Sequence, residues 1–144
     1  MQPDDDRGAV TAFAIVFTVT VIFVFGLVWD GGRLLAAQRQ ADNQAASAAR
    51  AAAQAIDIDA LRNGQTTNLL DFNLAQQNVC SYAATIGRGC GEFGLSATRG
   101  GTAVTVTLEI PVTFIVIPGA SRTARGEGTA CTEIGLNDPI VACI

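Results

Sequence analysis

The feature that most limits what this chain can fold into is the run AVTAFAIVFTVTVIFVFGLVW at residues 9–29, 21 residues without a single charge. As a helix rising ~1.5 Å per residue it is about 32 Å long, enough to cross the hydrocarbon core of a bilayer. Directly behind it, residues 30–56 read DGGRLLAAQRQADNQAASAARAAAQAI, alanine-rich with polar residues interleaved, and no proline lies between Pro3 and Pro111. Together the two stretches predict one long helix, slightly loosened at Gly31-Gly32, with its first half in a membrane and its second half clear of it. The rod is expected to end near residues 57–62, where Asn63-Gly64 offers a cap and a turn.

The details of the apolar run suit lipid. Thr11, Thr18 and Thr20 can return their hydroxyls to the preceding helical turn, Gly26 permits the close approach of another helix, and Trp29 falls where an amphipathic ring favours the interface. Asp30 and Arg33, at i,i+3, can pair on the helix surface, so that Asp30-Gly31-Gly32-Arg33 reads as a stop signal at the membrane edge. A secretory signal would carry a positive start and a shorter apolar run, whereas residues 1–7 hold Asp4, Asp5 and Asp6 against Arg7. A retained anchor is expected. Arg33, Arg39 and Arg50 after the run would place the C-terminal part in the cytoplasm by arginine count. Long domains translocate largely regardless of charge, and the cysteines favour an oxidising side; the outward orientation is the reading taken here.

In the alanine-rich half, Leu34, Ala41, Ala48 and Ala55 recur at seven-residue steps with Ala45 and Ala52 between them. This seam can pack closely against another helix or against the domain's own sheet. Beyond Asn63-Gly64, residues 68–86 predict a second helix with Leu69, Leu70, Phe72, Leu74, Val79, Tyr82 and Ala83 as its apolar side. From residue 92 the period changes to two. Residues 93–97 alternate, Arg99-Gly100-Gly101 turns, and residues 102–117 read TAVTVTLEIPVTFIVI. Val104, Val106, Leu108 and Ile110 share one face of that strand, with Thr105, Thr107 and Glu109 on the other. Pro111 argues for an edge position or a bulge. Pro118-Gly119 turns the chain and residues 121–131 return as a third strand, one face of which meets solvent through Arg125 and Glu127. The fold class expected is α+β: a long N-terminal helix, transmembrane in its first half, then a small disulfide-stabilised domain with an antiparallel sheet of about three strands. The units are a tail (1–8), a membrane helix (9–29), an extramembrane helix (30–62) and an exported domain (63–144).

The four cysteines are Cys80, Cys90, Cys131 and Cys143. None forms a CxxC pair, and an even number behind a membrane segment points to structural disulfides. Of three possible pairings, Cys80–Cys90 with Cys131–Cys143 closes the shortest loops. All nine cationic residues are arginine and histidine is absent, which removes the usual general base and the commonest metal ligand. Asp57 and Asp59 form a solvated helix end more readily than a metal pair. The glycines at 87, 89 and 91 have no lysine after them and no strand before them, unlike a phosphate loop. With a net charge of −4 and no basic stripe, nucleic acid is not an expected partner. No enzyme activity, cofactor or metal is expected.

Arg7-Gly8 before the apolar run, Asp30-Gly31-Gly32-Arg33 after it, and the alanine-rich continuation with Ala41-Asp42 together resemble the N-terminal region of TadE/TadG-like proteins. These are minor pilin-like components of the tight-adherence (Flp) pilus systems of bacteria. The resemblance covers about the first 57 residues. It implies a single-pass protein of the inner or plasma membrane with an extracytoplasmic C-terminal domain. Its partners would be membrane lipid and, through the N-terminal helix, other pilus-assembly or pilin-like envelope proteins. In pilin-like members a prepilin peptidase cuts after the glycine preceding the apolar run, which here is Gly8 before Ala9. The pilin pattern places a glutamate five residues into the mature chain, where this sequence has Phe13, so an uncut, TadG-like protein fits better than a processed pilin. The alternative from another class is an anchored surface-binding or adhesion module unrelated to pili.

Overall fold

The computed structural model describes residues 6–64, 70–98, 103–116 and 119–131. The apolar run and the alanine-rich stretch form one unbroken helix, α1 (Asp6–Ala53), followed by α2 (Ile58–Arg62) and α3 (Phe72–Thr85). A 3-10 turn (Cys90–Glu92) leads into β1 (Phe93–Thr98), β2 (Ala103–Thr113) and β3 (Ser121–Cys131). The class is α+β, as expected from the sequence. α1 passes through Gly31-Gly32 without a break and stops at Ala53, earlier than the predicted end at residues 57–62. The reason is tertiary. Ile56 bridges Leu70, and the Asp71 N–H reaches the Ala55 carbonyl at 3.0 Å, so the backbone here is committed to a neighbouring segment. Asp57 then caps α2, accepting from the N–H groups of Asp59 and Ala60, and Asp71 caps α3 in the same way through Asn73 and Leu74. Of the predicted second helix, residues 68 and 69 lie outside the described residues. Ala75, Val79 and Ala83 are its buried side, while Phe72 and Leu74 near its start stay exposed.

The sheet is antiparallel in the order β1-β2-β3. β2 pairs with β1 from Phe93↔Leu108 to Thr98↔Ala103, and with β3 from Ala103↔Cys131 to Thr113↔Ser121. β2 is therefore the central strand, which at first sight forbids Pro111. β1 begins at Phe93, opposite Leu108, so the segment of β2 that carries Pro111 pairs with β3 alone and is locally an edge. The turn expected at residues 99–101 lies outside the described residues. The face of β2 read from the alternation is correct: Val104, Val106 and Leu108 are fully buried and Ile110 half-buried, with Glu109 exposed on the other side. On that outer face the aligned Ser96, Thr105 and Thr129 join all three strands, Ser96 Oγ donating to the Thr105 carbonyl at 3.3 Å and the two threonine hydroxyls meeting at 3.1 Å. Arg125 and Glu127 are exposed, as expected.

One core joins α1, α3 and the sheet: Ala45, Ala48, Ala49, Ala52 and Ala55, then Ala75, Val79 and Ala83, then Phe93, Val104, Val106 and Leu108. Tyr82 meets Phe93 edge-on with ring centroids 6.3 Å apart. Cys80 and Cys90 form a disulfide that ties the second half of α3 to the 3-10 turn. The second expected pairing involves Cys143, outside the described residues.

Candidate functional site

The site is the line along which α1 meets the β2–β3 hairpin, and it begins with small residues. β3 presents Ala124, Gly126 and Gly128 to the helix, all buried, while the residues between them face out. A Cβ on Gly126 would run into the backbone of Ala41 and Asp42, and one on Gly128 into that of Ala45 and Ala46. Strand and helix backbones therefore touch. Contact this close is possible because neither surface carries bulk: Ala41, Ala45, Ala48, Ala52 and Ala55 are all 0% exposed. The predicted seam faces the domain's own sheet, the second of the two alternatives left open by the sequence. Leu34, at its membrane end, is half-buried. Gln38 Nε2 adds a bond to the Arg125 carbonyl at 2.7 Å.

Followed toward the membrane end of α1, the same line reaches the membrane-edge motif. Asp30 is only 5% exposed. Its carboxylate accepts from the Ile115 N–H at 3.2 and 3.1 Å and from the Val116 N–H at 3.0 Å. Arg33 Nη1 donates to the Thr113 carbonyl at 3.4 Å. The expected Asp30–Arg33 pair is thus replaced: each residue holds the backbone of the hairpin instead. A carboxylate shared by two amides satisfies donors that a turn leaves orphaned, and the two N–H dipoles compensate the buried charge. Four residues earlier, Val116 packs directly on Gly26, where a Cβ would overlap its side chain. Gly26 does serve close approach, as expected, but the visitor is this turn and not another helix. Gly31 and Gly32 have open space around them, as does Gly8.

Beyond the hairpin, the apolar half of α1 is bare among the described residues. Phe13, Phe17, Phe23, Phe25 and Trp29 are all more than half exposed. The helix is long and apolar enough to cross a membrane, with mean hydropathy 2.6 over its most apolar window, none of it buried. Thr18 and Thr20 return their hydroxyls to the carbonyls of Ala14 and Val16 at 2.8 Å, as the sequence suggested. Gly8 and Ala9 lie in the first turns of α1. On the far side of the domain, the Glu92 carboxylate accepts from the Gly89 N–H at 2.9 Å and pairs with Arg88 at 2.8 Å; these bonds lower its pKa below the ordinary 4.5.

Sequence reasoning missed β3 as the partner of the seam. The signal was present in the alternation Ala124, Gly126, Gly128, Ala130, a strand face stripped of side chains. No local signal announced the Asp30 contact, whose partners are 85 and 86 residues away.

This geometry defines a class: a membrane-type helix continued without a break into the core of a small α+β head. Within it, residues 8–55 match the Tad family model, described as "Putative Flp pilus-assembly TadE/G-like". The matched segment is the helix that carries the seam, Gly26 and Asp30. No curated protein and no solved structure matches the chain.

Proposed function

We propose that this protein is a membrane-anchored, non-catalytic TadE/TadG-like component in the assembly of a Flp-type pilus or a related secretion apparatus. Its single helix lies in the cell membrane and its head lies on the outer side. The observation that carries the reading is the unbroken α1, whose first half is bare and apolar while its second half is the spine of the head. Such a helix transmits position from the bilayer to the head with no flexible linker between them. The seam is consumed inside the head, so lateral docking to other envelope proteins falls to the bare half of α1. The Cys80–Cys90 disulfide supports the outward orientation, because such bonds persist in oxidising compartments.

Intact-mass spectrometry of the protein from native membranes, with and without reduction and alkylation, tests the reading. A full-length mass with oxidised cysteines is expected. A mass lacking residues 1–8 would make it a processed filament subunit, and four free thiols would reverse the orientation. Deleting the gene should abolish Flp filaments. Normal piliation in the deletion strain would remove the assembly role.

A further inference from the structure

The β2–β3 turn ends in apolar residues, and it lies beside the membrane helix instead of beside the core. Phe114 and Val116 are half-buried and Ile115 is 65% exposed. The N–H of Phe114 bonds to the Ala120 carbonyl at 3.1 Å and closes the tip. Val116 sits on Gly26, about one helical turn, ~6 Å, inside the apolar run measured from Asp30. At the same level of α1, Phe25, Val28 and Trp29 are exposed. The tip and the last turn of the apolar helix form one continuous apolar belt.

We infer that residues 114–116, at the end of β2, are a second membrane contact, seated at the boundary between acyl chains and headgroups, with Asp30 as the residue that makes the Ile115 and Val116 backbone tolerable there. The inference rests on the membrane reading of α1. Irregular backbone cannot enter lipid with its amides unpaired, because each orphaned group costs several kcal/mol. Among the described residues of the tip, the amides of Ile115 and Val116, next to the apolar helix, are the ones whose bonds Asp30 accepts. Beside a lipid-covered helix, the bilayer that covers Phe25 and Trp29 also covers Ile115. Two attachments, a helix and a turn, fix the rotation of the head about the helix axis as well as its height.

The chain has one tryptophan, Trp29, which supplies the control. The full-length protein is reconstituted in phosphatidylcholine vesicles containing lipid brominated near the carbonyl end of the acyl chains. Quenching of Trp29 in the wild type reports the anchor. In the double variant Trp29→Phe, Ile115→Trp, the new indole should be quenched to a similar extent and be shielded from aqueous iodide. If Trp29 is not quenched, the anchor itself is refuted. If Trp29 is quenched while the indole at 115 is not, and iodide quenches it instead, the turn stands in water and this inference alone falls. Photo-crosslinkable lipid on the unaltered chain gives an answer independent of the variant. Cleavage after arginine separates residues 8–33 from residues 100–122, and lipid adducts are expected on both peptides. Adducts confined to residues 8–33 would overturn the second contact.

Discussion

The two halves of α1 share one backbone and one period, yet they treat side-chain size in opposite ways. In the first half the large residues point outward and stay largely exposed among the described residues. In the second half alanine faces inward, and Ala41, Ala45, Ala48, Ala52 and Ala55 reach zero exposure. A helix in lipid needs no packed core to hide its apolar surface, so bulk is free to accumulate all round it. A helix seated on a strand of glycines gains by bringing backbones together, and bulk there would push them apart. Alanine burial contributes little through area alone. The gain comes from dense contact among atoms that a larger side chain would separate. The boundary between the two regimes is Asp30, where a buried carboxylate on the helix holds two amides of the hairpin.

The largest effect should come from ending the contact on the second half. Gly128→Val, or Gly126→Val, places a side chain inside the helix backbone. Overpacking of this kind costs about 3 kcal/mol or more, and denaturation of the full chain in detergent should show most of the head's stability gone. The same substitution at Gly8, where there is open space, should leave the head unchanged. Ala45→Leu should also unfold the head, which makes it a test of the fold and not of docking to a partner.

Asp30→Ala attacks the boundary itself. It leaves the Ile115 and Val116 amides without their acceptor, a loss of about 2–3 kcal/mol. Hydrogen exchange at those two amides should accelerate sharply while exchange in Val104 and Val106 stays slow. Uniform acceleration would mean that Asp30 supports the whole head and that the two regimes are not separable. Replacing both Cys80 and Cys90 by serine should cost about 2–3 kcal/mol through the entropy of the short loop they close, read as a lower denaturation midpoint with the helix signal of the apolar half retained.

Smaller effects sharpen the picture. Gly31→Ala and Gly32→Ala meet no neighbour, so each should stabilise α1 by about 1 kcal/mol through helix propensity. If either change nonetheless abolishes piliation, the glycines serve an outside contact at the membrane edge. The smallest effect is in acid. The folded-state pKa of Glu92 is lowered, so its contribution is fully present above the ordinary carboxylate value of 4.5 and is lost as pH falls through the lower folded value. Glu92→Gln should flatten that part of the stability–pH curve, the lost contribution appearing as slightly lower stability near neutrality and none in strong acid.

How much could be read in advance follows the range of the forces. The apolar run, the continuity of the helix, the alternation Val104, Val106, Leu108 and the return of residues 121–131 as a strand all depend on neighbours within a few positions. They were legible. So was the Cys80–Cys90 bond, which closes a short loop. The early end of α1 at Ala53 was not, because it depends on Ile56 finding Leu70. Phe72 and Leu74 were assigned to a buried side by periodicity alone, but near the start of α3 they face away from the core. Pro111 argues in sequence for an edge position or a bulge; it marks a local edge on a central strand, a distinction that exists only once the lengths of β1 and β2 are compared.

The sequence by itself determined that this protein carries a membrane-type helix, a small-residue seam behind it and a short antiparallel sheet, because periodicity, hydropathy and turn residues act locally along the chain. Only the tertiary structure decided what the seam packs against, why β3 carries two glycines, and that Asp30 serves a hairpin in place of Arg33. Those outcomes depend on which backbones meet across some 80 residues of chain, with Arg33 meeting Thr113, Gln38 meeting Arg125 and Asp30 meeting Val116. A carboxylate on a helix surface looks the same in sequence whether it faces water or two amides. The difference is made by the surface that arrives beside it.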